Sequence, residues 1–182
     1  MFSNLFEKKE PEDNDKLFKD RAYMTTEAKM QACATLAKEN ESVIFIAWFS
    51  DTAKQFKNHF TANGLNENRI TEARYLTPSQ LQSFTPVFTE HYPMHSKEEN
   101  FVSNWKIKNI MVYSAMDEPL FKHFGSEKLI PLMKMMGMKE DEVIEHSMVS
   151  KSIVSGQKKI EAQVTIEQPA PSQAEWMERN LT

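Results

Sequence analysis

The sequence predicts an α/β protein in which a parallel sheet is covered by helices and followed by C-terminal helices. Short apolar segments alternate with amphipathic segments, as expected when each strand leads into a crossover helix. The clearest strand runs from Val43 to Phe49, because this stretch is continuously apolar and rich in β-branched and aromatic residues. We expect this strand in the centre of the sheet. With 40% hydrophobic residues, the 182-residue chain is suited to one domain with one core.

Helix signals flank this strand on both sides. Thr25 is a suitable N-cap for a helix that continues to about Lys38. Ser50 begins a second helix, which Gly64 ends through a left-handed cap. The order helix, strand, helix is therefore predicted between residues 25 and 64.

Three further strands are predicted, each followed by helical sequence. They cover residues 70–76, 87–89 and 110–113. Thr77 and Pro78 supply an N-cap and a first-turn proline for the helix after the first of these strands. Ser96 and Glu99 have the spacing of a capping box at the start of the next helix.

The last third of the chain is predicted to be helical. The three helices cover residues 117–124, 126–136 and 147–162. The chain divides into a flexible N-terminal arm, an α/β lobe, one long helix and a flexible tail, at residues 1–19, 20–146, 147–166 and 167–182.

Charge and cysteine content restrict the class of protein. The chain has 22 Lys and Arg against 26 Asp and Glu, and the charges are mixed along it, which argues against a nucleic-acid binder. The single cysteine, Cys33, has no internal disulfide partner and indicates a reducing compartment. The first 20 residues lack the apolar stretch of a signal peptide, and no apolar run reaches the length of a membrane span. We therefore expect a cytoplasmic protein.

Several motifs resemble those of SecA, the protein-export ATPase. Residues 20–29 read DRAYMTTEAK, which is similar to the D-x-x-Y-x-T-x-x-x-K segment at the entry to the second nucleotide-binding lobe of that family. Three later segments follow the order of the family's S-M-E-D turn, M-x-x-L-G-M segment and I-E-H-x-x-V-x-x-x-I stretch. They are YSAMDE at 113–118, MKMMGM at 133–138 and IEHSMVSKSI at 144–153.

The resemblance covers residues 20–162 and has implications for the fold. It implies a RecA-like, P-loop NTPase-type lobe of three layers, equivalent to a helicase C-terminal lobe. It also implies that residues 147–166 correspond to the start of the family's helical scaffold.

The residues that serve ATP hydrolysis in SecA are missing here. The family has a loop of the G-R-G-T-D type and a helix of the Q-x-x-G-R-x-G-R type, whose arginines reach the γ-phosphate. This sequence has no Gly-Arg dipeptide. The resemblance places the corresponding helix at residues 100–105, which contain no arginine. The loss of such a group can cost about three to five orders of magnitude in rate. A G-x-x-x-x-G-K-[ST] loop is also absent, so we predict a degenerate ATPase lobe with no catalytic residue and no cofactor.

The SecA-like motifs, together with the missing ATPase residues, predict a non-catalytic interaction or regulatory domain linked to protein export. The expected partner is SecA, a translocase component or a preprotein, and peripheral contact with a membrane would come through that partner. Two alternatives stay open. The chain could be a partial ATPase subunit that completes a composite nucleotide site with another chain, or an orphan α/β domain with an unrelated binding role.

A methionine cluster and one tryptophan form the candidate interaction surface. These residues are Met133, Met135, Met136, Met138 and Trp176. Methionine side chains adapt to varied apolar partners. Core packing is the alternative, and the i, i+3 spacing of Met133 and Met136 favours it.

Two other groups of residues receive an ordinary structural interpretation. His91 and His95 have the spacing of a zinc-binding pair on a helix, but Pro93 between them argues against a helix. Surface or hydrogen-bonded histidines are favoured, and no metal is predicted. Asp117 and Glu118 are interpreted as the negatively charged start of a helix.

Overall fold

The computed structural model describes residues 16–181 and has a five-stranded parallel sheet at its centre. The strand order is β1-β5-β4-β2-β3, and every pairing between neighbours is parallel. The strands are β1 (Phe18–Tyr23), β2 (Val43–Ala47), β3 (Ile70–Glu72), β4 (Thr85–Phe88) and β5 (Ile110–Ala115). The prediction of an α/β fold with a parallel sheet is confirmed.

Helices cover both faces of the sheet. They are α1 (Thr26–Glu39), α2 (Ser50–Ala62), α3 (Pro78–Ser83), α4 (His95–Val102), α5 (Pro119–His123), α6 (Leu129–Met135), α7 (Ser147–Glu161) and α8 (Gln173–Asn180). α1 and α2 pack on one face, where Phe56 and Phe60 lie in a cluster with Phe45 of β2. α4 packs on the other face through Val102. A third apolar cluster joins α5, α7 and α8.

Strand β2 is buried along its whole length but is not the middle strand. It lies between β4 and β3, so β4 takes the central place that we expected for Val43 to Phe49. The strand also ends at Ala47, two residues earlier than the apolar run. The backbone N–H groups of Trp48 and Phe49 donate to the side chain of Glu90, which takes these residues out of the sheet ladder.

Helix N-caps were predicted correctly where no tertiary contact competes for the capping side chain. Thr25 caps α1, and Thr77 caps α3 with a complete capping box. The capping box predicted at Ser96 is wrong, because α4 begins at His95 with Met94 as its N-cap. The Ser96 hydroxyl donates instead to Glu161 of α7, a tertiary contact that competes with the local cap.

The N-terminal boundary lies slightly earlier than predicted. Strand β1 begins at Phe18, which pairs with Ile110 of β5, so the folded lobe includes residues that we assigned to the arm. The rest of the predicted arm, residues 1–15, lies outside the described residues.

The segment 167–181 differs from the predicted flexible tail. It packs on the lobe and contains α8, whose N-cap Ser172 accepts a hydrogen bond from the Glu175 backbone. Trp176 is completely buried in the cluster formed by α5, α7 and α8. Burial of so large an apolar side chain stabilises the docked segment.

Candidate functional site

The carboxyl ends of parallel strands are the usual ligand-binding edge of an α/β sheet. In this protein, β4 leads directly into Thr89, Glu90 and His91, and β5 leads into Glu118. All four residues are buried. Together with Lys29 and Glu98 they form a set of buried polar side chains that we call the carboxyl-edge network.

Lys29 of α1 is the central cation of the network. Its ammonium group forms an ion pair with Glu118 and donates to the backbone carbonyl of Thr89 at 2.6 Å. Burial acts to lower the pKa of Lys29, but Glu118 and then Glu90 outweigh this effect and the pKa is raised. Lys29 is therefore a charged lysine whose partners are supplied by the protein itself.

Glu90 occupies the space at the N-terminal end of α2. One carboxyl oxygen accepts hydrogen bonds from the backbone N–H groups of Trp48 at 3.0 Å and Phe49 at 3.2 Å, and the other accepts from the Thr52 hydroxyl at 2.7 Å. The N-cap residue of α2, Phe49, has no capping side chain of its own. Helix N-termini are ready-made anion sites, and here an acidic side chain of the chain fills the position.

Burial raises the pKa of Glu90 to about 7. Glu118 adds to this effect, while Lys29 and the hydrogen bonds from Thr52 and Phe49 oppose it. Glu90 therefore changes its protonation state near neutral pH.

His91 connects the network to the opposite side of the lobe. Its Nδ1 lies 3.0 Å from Glu98 of α4, and its Nε2 lies 2.9 Å from Asp20 of β1. Burial lowers the pKa of His91, but the two carboxylates outweigh this effect and hold it well above its ordinary value. Because both ring nitrogens face carboxylates, His91 is a protonated cation that joins β1 to α4.

The residues of the network were only partly visible in the sequence. Lys29 and Glu118, and Asp20 that pairs with His91, fall in segments that resemble SecA, but nothing local indicates that their side chains are buried. Glu118 is not part of a first helical turn as predicted; it is the N-cap residue of α5 and faces Lys29. The available signal was topological: these residues follow neighbouring parallel strands or begin the next helix, which brings them to one edge.

The four arginines of the sequence all lie in the described part of the chain, and each is engaged away from Lys29 and Glu90. Arg69 donates to three backbone carbonyls. The ion-pair partners of Arg21, Arg74 and Arg179 are Glu145, Glu72 and Glu175, respectively. Among residues 16–181, the cations of the network are a lysine and a histidine that already have carboxylate partners.

The predicted methionine surface is divided between exposed and partly buried positions. Met135 is 85% exposed and Met136 is 65% exposed, whereas Met133 and Met138 are half-buried. The core-packing alternative is therefore wrong for Met135 and Met136. Leu129 and Leu132 of the same helix are also about half exposed, at 48% and 51%.

Trp176 does not belong to this surface. Its ring lies in the core with 0% exposure, and its Nε1 donates to Glu167 at 3.1 Å. The sequence pattern around Trp176 is amphipathic, but the apolar side of the helix faces the lobe rather than a partner.

The structure places His91 and His95 in ordinary structural roles. His91 is a hydrogen-bonded core residue, as favoured by the sequence analysis, and His95 lies 3.2 Å from Glu99 one helical turn later. Within residues 16–181, no three His, Cys, Asp or Glu side chains are arranged to hold a metal ion.

Comparison with known proteins relates one segment of the chain to SecA. The protein translocase subunit SecA of Acidithiobacillus ferrooxidans is 50% identical over 50 residues, which cover 28% of this chain and 6% of that protein. SecA of Christiangramia forsetii is 51% identical over 49 residues, covering 27% and 4%. SecA of Acinetobacter baumannii is 44% identical over 50 residues, covering 28% and 6%. No family model matches the chain.

The matched segment is short compared with these relatives. The chain spans between 4% and 6% of their length, so the relationship concerns one segment of an α/β protein. Among the helices formed by residues 16–181, none combines the length and apolar composition needed for a bilayer span. The structure therefore has a SecA-related segment within a parallel α/β fold whose carboxyl edge is filled by the chain's own side chains.

Proposed function

We propose that this chain is a non-catalytic, SecA-related interaction domain that serves protein export. In this proposal the lobe is a degenerate form of the RecA-like second nucleotide-binding lobe. It binds a protein partner, which is SecA, another translocase component or a preprotein. The partner holds the domain at the cytoplasmic face of the membrane.

The observation that carries the proposal is the position of Glu90. A nucleotide site at this edge needs free N–H donors and a cation for the phosphates. The Glu90 carboxyl group instead accepts from Phe49 and Thr52 at the start of α2. A phosphate at this position would displace a buried acidic side chain and meet a second one, Glu118. The arrangement supports a lobe that is retained for its surfaces.

The exposed apolar face of α6 supports protein binding. Leu129 and Leu132 of α6 and the C-cap residue Met136 follow helical spacing on one face, and Met135 extends it. Clustered exposed apolar side chains are characteristic of protein interaction sites, and methionine adapts to varied partners. We propose this α6 face as the partner-binding surface.

Nucleotide binding is the first test. Isothermal titration of the full chain with ATP and with ADP, in the presence of Mg²⁺, is expected to give no binding heat, and a hydrolysis assay is expected to give no turnover. The same assays are repeated after mixing with SecA. Turnover that appears only on mixing would favour the alternative of a composite ATPase subunit.

Partner capture is the second test. The immobilised chain is incubated with purified SecA, with the translocase channel and with a preprotein, each in separate binding reactions at native salt. The double variant Met135→Glu and Met136→Glu is expected to lose capture. Ile166→Glu is the matched control, because Ile166 is also 81% exposed but lies outside α6. Equal capture by the wild type, the double variant and Ile166→Glu would exclude the α6 face as the binding surface. If the wild type captures none of the three partners, the proposed partner class is overturned.

A further inference from the structure

A cleft lies between α1 and the segment 139–145, and it shares no lining residue with the carboxyl-edge network. Its volume is about 560 Å³. The backbone of Ala22 in β1 exchanges two hydrogen bonds with that of Ile144, at 2.8 and 3.2 Å. These bonds hold the segment against the edge of the sheet, so the fold itself fixes both walls of the cleft.

Two stacked tyrosines form the floor of the cleft. The ring centroids of Tyr23 and Tyr113 are 5.9 Å apart. The Tyr113 hydroxyl accepts a hydrogen bond from Arg21 at 3.0 Å, and the Nε of Arg21 pairs with Glu145 at 2.5 Å. The charge of Arg21 is therefore compensated within the protein, and the Tyr113 hydroxyl already has a partner.

The hydroxyl group of Tyr23 has no such partner. Tyr23 is only 5% exposed, yet it lines the cleft. No group among residues 16–181 forms a hydrogen bond with its hydroxyl. Burial raises the pKa of Tyr23 to about 12, so the hydroxyl is neutral at physiological pH and can accept a hydrogen bond. An unpaired buried polar group costs free energy, and an occupant of the cleft would supply the missing bond.

The rim of the cleft is acidic. Four carboxylates line it, whereas Arg21 is the one cation among its lining residues. These acidic residues are Glu27, Glu39, Glu140 and Asp141. All four are exposed, and Glu140 also pairs with Lys134 of α6. A cleft lined mainly by one sign of charge attracts an occupant of the opposite sign, which here is a cation.

The wall formed by α1 adds apolar surface. Ala28, Ala32 and Leu36 follow each other at intervals of four residues and therefore lie on one face of the helix. A lysine side chain matches this combination of surfaces. Its aliphatic stem packs on apolar groups, while its ammonium group offers three donors to hydroxyl and carboxylate oxygens.

We propose that this cleft binds a lysine side chain presented by a segment of a protein partner. The stem lies along the apolar wall of α1, and the ammonium group donates to the Tyr23 hydroxyl and to carboxylates of the rim. An acidic side chain would meet the four carboxylates, and an apolar one would leave the hydroxyl unpaired. The inference goes beyond the proposed function, because the cleft is separate from the exposed face of α6.

The test is a titration of the ¹⁵N-labelled full chain with the peptide acetyl-Gly-Lys-Lys-Gly-amide at millimolar concentrations, followed by NMR. Saturable shifts are expected for the amides of α1 and of residues 140–141. The same peptide with both lysines Nε-acetylated keeps the stems but has no charge. It is expected to bind at least about tenfold more weakly, because the charge-assisted hydrogen bonds are lost.

Two sets of variants locate the site. Tyr23→Phe keeps the ring but removes the hydroxyl, and it is expected to weaken peptide binding about tenfold. The double variant Glu27→Gln and Asp141→Asn is expected to weaken it about three- to tenfold. Its matched control is Glu67→Gln and Glu178→Gln, which removes the same charge from two exposed positions outside the cleft and is expected to bind as the wild type does.

Several results would overturn the proposal. Equal affinities of the two double variants would show that the net charge of the protein alone attracts the peptide. Equal binding of the acetylated peptide, tighter binding of acetyl-Gly-Glu-Glu-Gly-amide, or no binding at all would also contradict a lysine site. If Tyr23→Phe fails to fold, the comparison of the two double variants decides.

A titration with cadaverine, a free diamine with a similar stem, identifies the source of the ammonium group. Binding weaker than that of the lysine peptide supports a protein segment, whereas tighter binding would assign the cleft to a small amine and overturn the proposal. These titrations use no export partner. Failure of partner capture would therefore leave this inference standing, and failure of the lysine peptide to bind would leave the proposed function standing.

Discussion

Lys29 and Glu118 form a buried ion pair at the carboxyl edge of the sheet, with side chains that are only 2% and 7% exposed. The two residues are 89 positions apart in the chain. A buried pair of this kind is expensive to disrupt, because removing one partner leaves the other charge without compensation in a poorly solvated site. The pair therefore fixes the position of α1 relative to the start of α5.

Replacing Lys29 by methionine is expected to reduce the free energy of unfolding by about 3–5 kcal/mol. The methionine has similar length but leaves Glu118 and Glu90 close together without a cation. Urea denaturation followed by circular dichroism measures the change. Lys38→Met on the exposed end of the same helix is the control and is expected to change stability by less than about 0.5 kcal/mol. Equal effects of the two substitutions would contradict the importance of the ion pair.

Glu90 is expected to make stability depend on pH between about 4.5 and 7. Its pKa is raised from 4.5 to about 7 on folding, so the folded state holds the proton more tightly than the unfolded state. The resulting stabilisation is fully present below pH 4.5 and is lost as the pH rises through about 7.

The substitution Glu90→Gln tests this pH dependence. Glutamine keeps an oxygen to accept from the N–H groups of Trp48 and Phe49, and its side-chain NH₂ can donate to the Thr52 hydroxyl, but it does not titrate. Urea denaturation at several pH values is expected to show a shallower decline in stability for Glu90→Gln than for the wild type. Parallel pH profiles would show that Glu90 does not titrate in this range.

Cys33 is expected to be inert in the folded protein. Burial raises the pKa of its thiol to about 12, so very little thiolate is present at pH 8, and the side chain is inaccessible. Alkylation by iodoacetamide followed by mass spectrometry is expected to be at least about a hundredfold slower in buffer than in 8 M urea. Rapid alkylation of the native protein would mean that α1 separates readily from the sheet.

Arg69 is expected to stabilise the lobe through backbone contacts rather than through an ion pair. Its guanidinium group donates to the carbonyls of Ala37 and Asn40 at 2.6 Å and to that of Val43 at 3.0 Å. Arg69→Lys keeps the charge but cannot reach all three acceptors in this geometry. Thermal denaturation is expected to show a loss of about 1.5–3 kcal/mol. The control Arg74→Lys changes an arginine that is mostly exposed, and it is expected to have little effect.

Local features of the sequence predicted much of the secondary structure. The helix caps at Thr25 and Thr77 act within four residues, and β2 was recognisable because a strand buried on both faces has a continuous apolar run. The alternation of such strands with helices also predicted a parallel sheet. Periodicity alone did not predict strand order, and the most apolar run therefore proved not to be the middle strand.

Contacts between distant residues decided the rest. The start of α4 is set by Ser96 reaching Glu161 instead of capping its own helix. The amphipathic pattern around Trp176 is compatible with an exposed tail as well as with a packed one. The contact between the Trp176 and Tyr92 rings holds the segment against the lobe. At Ser96, a helix cap worth about 1 kcal/mol competes with a hydrogen bond to a distant helix. At Trp176, burial against the lobe decides the position of the helix, and no local pattern encodes that burial.

By itself, the sequence determined that this protein has an α/β fold with a parallel sheet and a segment similar to SecA. Only the tertiary structure decided which groups occupy the carboxyl edge of the sheet. Glu90 and Pro171 reach the start of α2 from positions that are 41 and more than 100 residues away. The physical reason is that composition and spacing determine which groups are available, whereas the geometry of the packed chain determines which donors and acceptors meet.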